Sequence, residues 1–546
     1  MGKGKAGSLA WLAVVLALLV GLPFLGKPFH IDDTVVLTVA RQIRHDPWRP
    51  FGGQINWSGS DRPVFEETTN PPLLSYYLAP LVAAFGYREV PLHVGMLVFL
   101  VVLALATASL CRRFAHGSSW PLVFVMLSPA VVVSGNLMRD VPAMALGAAA
   151  LALFVAGVDR ERWGLVLAGG LVGGLAALTK YSAVMLAPVA LVYLGTQRQW
   201  RYAWGLAPAA AVLGLWCLEN WLTTGQVHLA YLLAHRASPG QAAGRLWPLF
   251  GIVGSCLYLL PAVLAALVVE RRAGILAGMA AVGAAVPATA ALSLGQRVGG
   301  QWLLWTSTGA MLLYALLAAG LLAGERRKGR GAPPAWADGV FLASWAVLAL
   351  AFSVGGVMFQ AVRHVVPALV PLALLGGRLL APVPVRVRWL GALVGLLALA
   401  QGGMAFLVGA ADYEYADAYR SFARLARVEY QEAGRRTWFS GHWGWQAYAQ
   451  QAGFAQLPAR GAPVRAGDLV IIPDLVAKSE LPAGLEERLR LVGEHEVSAR
   501  LPVRTMDGFV HAGFYATSGD QVPYYFTSDR TLELFAVYRV APGKEQ

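Results

Sequence analysis

Apolar runs of about twenty residues, each long enough to cross a bilayer, recur along the chain down to residue 410. They start near residues 9, 90, 119, 140, 163, 182, 203, 247, 274, 302, 338, 363 and 389, which predicts about thirteen transmembrane helices. Alternate connecting segments are basic. These are Cys111-Arg112-Arg113, Asp159-Arg160-Glu161-Arg162, Arg198 with Arg201, Glu270-Arg271-Arg272, Arg326-Arg327-Lys328 with Arg330, and Arg386 with Arg388. Basic loops are retained in the cytoplasm, so all of these share the side of a cytoplasmic N-terminus. The first run, Leu9 to Leu25, follows Lys3 and Lys5 as a signal peptide would. No small-residue cleavage site follows it and further spans do, so it reads as a retained helix.

The opposite, external side then receives three larger pieces: the loop over 27–89, the segment Thr223 to Trp247, and the tail. In the first loop, Val35, Val36, Val39 and Ile43 recur at helical spacing, which predicts a helix lying along the membrane surface. A second surface helix is expected from Pro71, with Asn70 as its cap and Leu73, Tyr77 and Leu81 on one face. Aspartate, glutamate and tyrosine return near Ala411. There a helical run to Glu432 precedes a strand at Thr437–Ser440, a helix around Trp443–Gln451 and strands at Leu469–Ile472 and Leu532–Val540. The expected organisation is a polytopic α-helical membrane domain over 1–410 and an extracytoplasmic α/β domain over 411–546.

Composition supports this. The 546 residues are 57% hydrophobic and 14% charged, with mean hydropathy +0.54, which excludes an ordinary soluble enzyme. The net charge of +13 comes from the clustered loop residues, so it reports topology rather than a nucleic-acid partner. Cys111, Cys217 and Cys256 show neither a disulfide framework nor zinc spacing.

Ionisable residues at membrane depth are costly and point to function. Asp32 and Asp33 end the first span on its external side. Arg139 and Asp140 occupy the external turn before the span at 140, and Lys180-Tyr181 the external end of the next. Glu219 lies near the external end of the span starting at 203, and Arg363-His364 begins the one at 363. Carboxylates and cations converging on one side suggest an anion site beside a general base. Each residue also has a structural reading. Asp32 can cap the surface helix with Asp33 favoured by its dipole, although a cap needs only one aspartate. Lys180 can snorkel, Arg139 and Asp140 can pair, and Arg363 can contact lipid phosphate. His442 and the aromatic residues Trp438, Trp443 and Trp445 read as structure of the tail, with sugar stacking as the alternative for the tryptophans.

The acidic pair, the Asn70-Pro71-Pro72-Leu73 helix start, the Arg139-Asp140 turn, Thr179-Lys180-Tyr181 and Arg363-His364-Val365-Val366-Pro367 resemble the GT-C glycosyltransferases. The nearest branch comprises the protein O-mannosyltransferases, lipid A aminoarabinose transferases and bacterial core-oligosaccharide transferases. The resemblance covers the membrane part and not the tail. It implies a polyprenyl-phosphate sugar donor, a lipid, glycan or protein acceptor, and inversion at an external site in the inner (cytoplasmic) membrane. Asp32 would be the general base and Asp33 would orient the acceptor; Lys180 and Arg363 would hold the donor phosphate, with Arg139, Asp140, Tyr181, Glu219 and His364 around it. Many relatives carry lysine where this chain has Asn70, which shifts the phosphate contact toward Lys180 and Arg363. No cofactor is expected. Adjacent aspartates are hard ligands that could hold a divalent cation, but two carboxylates without a further ligand set do not predict one. The competing class is a lipid or sugar transporter, which would more often show internal repeats and broken helices at the midplane.

Overall fold

The computed structural model describes residues 3–57, 59–236, 252, 255–258, 335–355, 360–380, 388–431, 435–458, 463–476, 481–507, 512–516 and 523–542. The spans expected from residues 247, 274 and 302, the basic loops at 270–272 and 326–330, and Arg386 lie outside the described residues.

Apolar helices dominate. Among the described residues, Gly7–Phe24, Glu89–Phe114, Asp140–Asp159, Trp200–Thr224 and Trp389–Glu429 are long and apolar enough to cross a membrane. The sequence order begins with α1 (Lys3–Gly21), α2 (Asp33–His45), the short α3 (Val64–Glu67), α4 (Leu73–Phe85) and α5 (Glu89–Phe114). It continues with α6 (Trp120–Met126), α7 (Pro129–Val133), α8 (Asp140–Asp159), α9 (Trp163–Thr179), α10 (Leu186–Gln197), α11 (Ala207–Thr224) and α12 (His228–Arg236). The remaining helices are α13 (Ala335–Gly355), α14 (Val362–Leu380), α15 (Arg388–Glu429) and α16 (Trp443–Gln451). Small residues let α8 and α9 approach closely, as is usual between membrane helices. A Cβ at Gly169 would lie 2.8 Å from the Phe154 amide nitrogen.

Three expectations need correction. The run from residue 119 is not one span. It breaks into α6 and α7, because Pro129 offers no amide to continue the helix and Ser128 Oγ accepts from Ala130 N instead, at 3.3 Å. Asn70 is not a cap: α4 begins at Leu73 behind Pro72, and the Asn70 amide donates to Thr69 Oγ1 at 3.0 Å. The compositional change at Ala411 does not end an element, since α15 runs through it unbroken for 42 residues. At 1.5 Å per residue it is about 63 Å long, twice the hydrocarbon thickness of a bilayer.

The polar end of α15 packs on a five-stranded mixed sheet. After the hairpin of β1 (Gln54–Asn56) and β2 (Asp61–Pro63) in the loop behind α2, the strands of this sheet are β3 (Thr437–Phe439), β4 (Ala455–Gln456), β5 (Leu469–Pro473), β6 (Leu489–Ser498) and β9 (Thr531–Val540), in the order β4-β3-β5-β9-β6. The short pair β7 (Val503–Arg504) and β8 (Tyr525–Phe526) lies outside it. Phe422 stacks on Phe535 with ring centroids 3.8 Å apart, and Tyr419 donates to the buried Glu533. Trp438 and Trp445 are buried here, their indole nitrogens bonded to Asp468 and to the Ser440 carbonyl. Both are core residues. His442 is buried as well and lies against Gln456.

Candidate active site

The surface helix α2 forms because Val35, Val36, Val39, Ala40 and Ile43 fall on one face, and that face is buried. Ser75 of α4 ties down its backbone by donating to the Val36 carbonyl. The turn before it is held from several directions. Lys27 pairs with Asp412 of α15 at 2.7 Å and donates to the Val133 carbonyl. The Phe29 amide donates to Tyr448 Oη, and Thr34 Oγ1 donates to the Trp443 carbonyl. Gly444 lies so near the Phe29 carbonyl that no Cβ would fit between them. Within this clamp Ile31 adopts φ 47°, a conformation unfavourable for a β-branched residue. The strain falls immediately before Asp32.

The two aspartates have different surroundings. Asp33 is fully buried, and its Oδ2 accepts from the His30 amide at 2.9 Å. Burial pushes its pKa up to about 7, against the stabilising His30 bond and the Lys27 charge. Neighbouring His30, also fully buried, is pushed down to about 4 by the same loss of solvation. Asp32 occupies the N-cap position of α2 but makes no side-chain capping bond. Its carboxylate remains 32% exposed and pairs with Arg363 at the start of α14, with Nη1 and Oδ2 2.5 Å apart. Asp32 is thus the member of the pair that solvent and substrate can reach.

A second pair joins Lys180, at the end of α9, to Asp140, at the start of α8. Between these pairs lies Arg139, buried and within the field of Asp32, Asp140 and Arg363. Its Nε and Nη2 have no hydrogen-bond partner among the described residues. Three cations therefore face two carboxylates, leaving one positive charge and unused donors, a combination suited to an anion. Asp140, Lys180, Arg363 and His364 line one end of a cavity of about 550 Å³. Its walls are apolar, from Met144, Leu186, Trp345 and Phe352 among others. Ala183 and Leu186 also line an adjoining cavity of about 720 Å³ between α8, α9, α10 and α11, which has no charged lining residue.

Asn70, Tyr181 and Glu219 are not among the residues that line this cavity. Tyr181 turns its hydroxyl to Trp216 Nε1 at 2.8 Å and to His228 Nδ1 at 2.9 Å. Glu219 lines a different cavity, with Phe51, Phe65 and Asn220.

Sequence reasoning missed the Lys27–Asp412 pair, along with Tyr515, which donates to Asp412 at 2.7 Å, and Thr505, which donates to it at 2.9 Å. Lys27 and Asp412 flank the ends of apolar runs and could have been noticed there. Tyr515 carried no signal. Its neighbour Phe514 accepts from the Val362 amide at 3.0 Å, so the tail also holds the residue before Arg363.

Residues 69–223 match the family model described as dolichyl-phosphate-mannose-protein mannosyltransferase. No curated protein matches the chain by sequence. Among solved structures, ArnT from Cupriavidus metallidurans bound to undecaprenyl phosphate superposes with TM-score 0.50 at 14% identity, covering 85% of this chain and 92% of that one. The oligosaccharyltransferase of Archaeoglobus fulgidus tethered to an acceptor peptide gives TM-score 0.48 at 12% identity, over 83% of this chain and 64% of that one.

Proposed function

We propose that this chain, a multi-pass membrane protein with the fold of the GT-C superfamily, transfers a sugar from a polyprenyl-phosphate donor to an acceptor hydroxyl, with inversion. One observation carries the reading. Lys180 and Arg363 line an apolar-walled cavity, and next to them stand Arg139, with unfilled guanidinium bonds, and the part-exposed Asp32 that pairs with Arg363. A polyprenyl phosphate has the matching chemistry, a charged head on an isoprenoid chain. The head meets Lys180, Arg363 and Arg139; the tail follows the apolar walls toward the adjoining cavity.

In the ligand-free protein each bridging cation is neutralised by a carboxylate, Arg363 by Asp32 and Lys180 by Asp140. Donor binding offers Arg363 a phosphate in place of Asp32 and leaves that carboxylate free to act as base. Asp32 takes the proton of the acceptor hydroxyl while its oxygen attacks the anomeric carbon from the face opposite the phosphate. The bond from that carbon to the phosphate oxygen breaks, and polyprenyl phosphate departs with one more negative charge. Lys180, Arg363 and Arg139 stabilise that growing charge. Asp33 acts as a positioning residue: by accepting from His30 it fixes the strained turn that presents Asp32. His364 borders the head group, and Tyr181 sets the course of the chain after Lys180 through Trp216 and His228. Asn70 has no role in this scheme.

The basic loops of the sequence support a cytoplasmic N-terminus and an external active site, and the location we propose is the inner (cytoplasmic) membrane of a bacterium. The acceptor is a lipid, glycan or protein hydroxyl. The step uses no divalent cation, so EDTA leaves turnover unchanged. The test is purified protein in nanodiscs with a panel of polyprenyl-phosphate sugars and an envelope extract as acceptor. Release of polyprenyl phosphate from one donor is expected. Movement of a donor across a sealed bilayer without cleavage would replace the transferase by a transporter.

A further inference from the structure

Glu219 lies outside the cavity that meets the donor head. It lines a separate cavity of about 580 Å³, formed where the loop after α2 meets the end of α11. This cavity has no lining residue in common with the one holding Lys180 and Arg363. Its apolar wall is made by Phe51, Phe65 and Trp216, all buried and packed edge to face. Its polar wall is a turn of α11 bearing Glu219, Asn220, Thr223 and Thr224, with Arg49 of the loop after α2 also on the lining.

The hydrogen bonds of that polar wall define what it lacks. Asn220 is 2% exposed; its amide nitrogen donates to the Trp216 carbonyl at 2.7 Å and to Glu219 Oε2 at 3.0 Å. Thr223 Oγ1 donates to the Glu219 backbone carbonyl at 2.9 Å and reaches Glu219 Oε1 at 3.3 Å. The side-chain donors of this turn are thus spent, and the Arg49 guanidinium is the donor that the facing loop brings to the cavity. What the turn itself keeps is acceptors: Asn220 Oδ1 has no partner among the described residues, and the Glu219 carboxylate keeps lone-pair positions open. A buried amide oxygen without a partner is unfavourable. A ligand rich in hydroxyl donors removes that cost.

The geometry points to a carbohydrate subsite, in which a neutral pyranose gives neighbouring hydroxyls to Asn220 Oδ1 and Glu219 while its apolar face meets the aromatic wall. This rests on the transferase reading above and assigns the ring to the acceptor. The donor sugar must stay one bond from the phosphate held by Lys180 and Arg363, whereas this cavity is separate from theirs. The two are nonetheless mechanically joined. Trp216 on the cavity wall donates to Tyr181, and Tyr181 follows Lys180 in the chain. An occupied acceptor subsite therefore bears on the backbone that carries a phosphate-binding lysine.

The test uses the full chain in nanodiscs with no donor present. Methyl glycosides of glucose, galactose, mannose and glucosamine are titrated in turn and followed by saturation-transfer-difference NMR against empty nanodiscs. At least one glycoside is expected to give ring-proton signals that survive Asp32→Asn. Its half-saturation concentration should rise at least tenfold in Glu219→Gln and in Asn220→Leu. The Glu219→Gln change is isosteric and carries the test if Asn220→Leu fails to fold. Absence of signal from every glycoside, equal titrations of wild type and Glu219→Gln, or a response confined to glucosamine overturns the subsite. If glycoside binding behaves as expected but no donor turns over, the transferase reading fails alone. If donor turns over and no glycoside binds, the subsite fails alone.

Discussion

Replacing Asp32 with asparagine should abolish turnover and, at the same time, tighten binding of the polyprenyl phosphate product. The second effect is the more revealing one, because it follows from the pairing of Asp32 with Arg363 rather than from chemistry. At the observed separation of 2.5 Å, two unit charges attract by about 1.7 kcal/mol even at the dielectric constant of water. Asp32 is 32% exposed, so solvent screening and side-chain ordering reduce the useful part; exposed pairs contribute at most about 1 kcal/mol. A phosphate that must draw Arg363 away from Asp32 is penalised by that amount, and asparagine removes the penalty. Affinity for undecaprenyl phosphate should therefore rise about fivefold, since about 1.4 kcal/mol corresponds to tenfold. Turnover should fall by about 10²–10⁴, the usual range for loss of a general base. Binding is measured by native mass spectrometry in matched nanodiscs, for wild type, Asp32→Asn, Arg363→Met and the double variant. If the gain arises through Arg363, it vanishes when Arg363 is methionine. Weaker or unchanged binding by Asp32→Asn would refute the exchange of partners, and retained turnover would remove Asp32 as base.

Other consequences can be checked separately. Lys180→Met removes a cation from the leaving phosphate and leaves Asp140 without its partner; kcat should drop by about 10²–10³, with Lys180→Arg recovering part of it in the same assay. Asp33 has a folded pKa of about 7, raised from 3.8 by burial, so the folded state holds its proton more tightly than the unfolded state. Its effect is a loss of stability as pH rises between those values, up to about 4 kcal/mol. His30, lowered from 6.5 to about 4 by burial, acts in the opposite sense across its own window, so the Asp33 effect stands alone only above pH 6.5. Asp33→Asn should accordingly raise the melting temperature relative to wild type at pH 8 and keep less than half of that advantage at pH 5; a constant difference would contradict the assignment. Topology can be read from cysteine labelling in a background lacking Cys111, Cys217 and Cys256. A cysteine at Arg62, in the first loop, should react with an impermeant maleimide in intact cells, and one at Arg160, between α8 and α9, only after permeabilisation.

The sequence by itself determined the parts of this protein that depend on local chemistry. Apolar runs fixed where helices such as α5 and α8 lie, because a stretch without charge has one stable environment, and a helix satisfies its own backbone there. The valine spacing fixed α2, and the strands near Thr437, Leu469 and Leu532 followed from β-branched and aromatic runs. Charge at the ends of those runs marked Asp32, Arg139, Asp140, Lys180 and Arg363, since ionisable groups beside long apolar runs need a reason to be there. What the sequence could not supply was partnership. Asp32 and Arg363 are 331 positions apart and Lys27 and Asp412 are 385 apart (412 − 27), and no local signal pairs residues at such separations. The division of labour within Asp32-Asp33 likewise came only from tertiary structure. Adjacent residues at the start of a helix point in different directions, so one carboxylate was buried against His30 while the other was left toward Arg363 and solvent. Tertiary structure also separated Glu219 from Lys180, because the loop after α2 packs Phe51 against Trp216 and encloses a second cavity there.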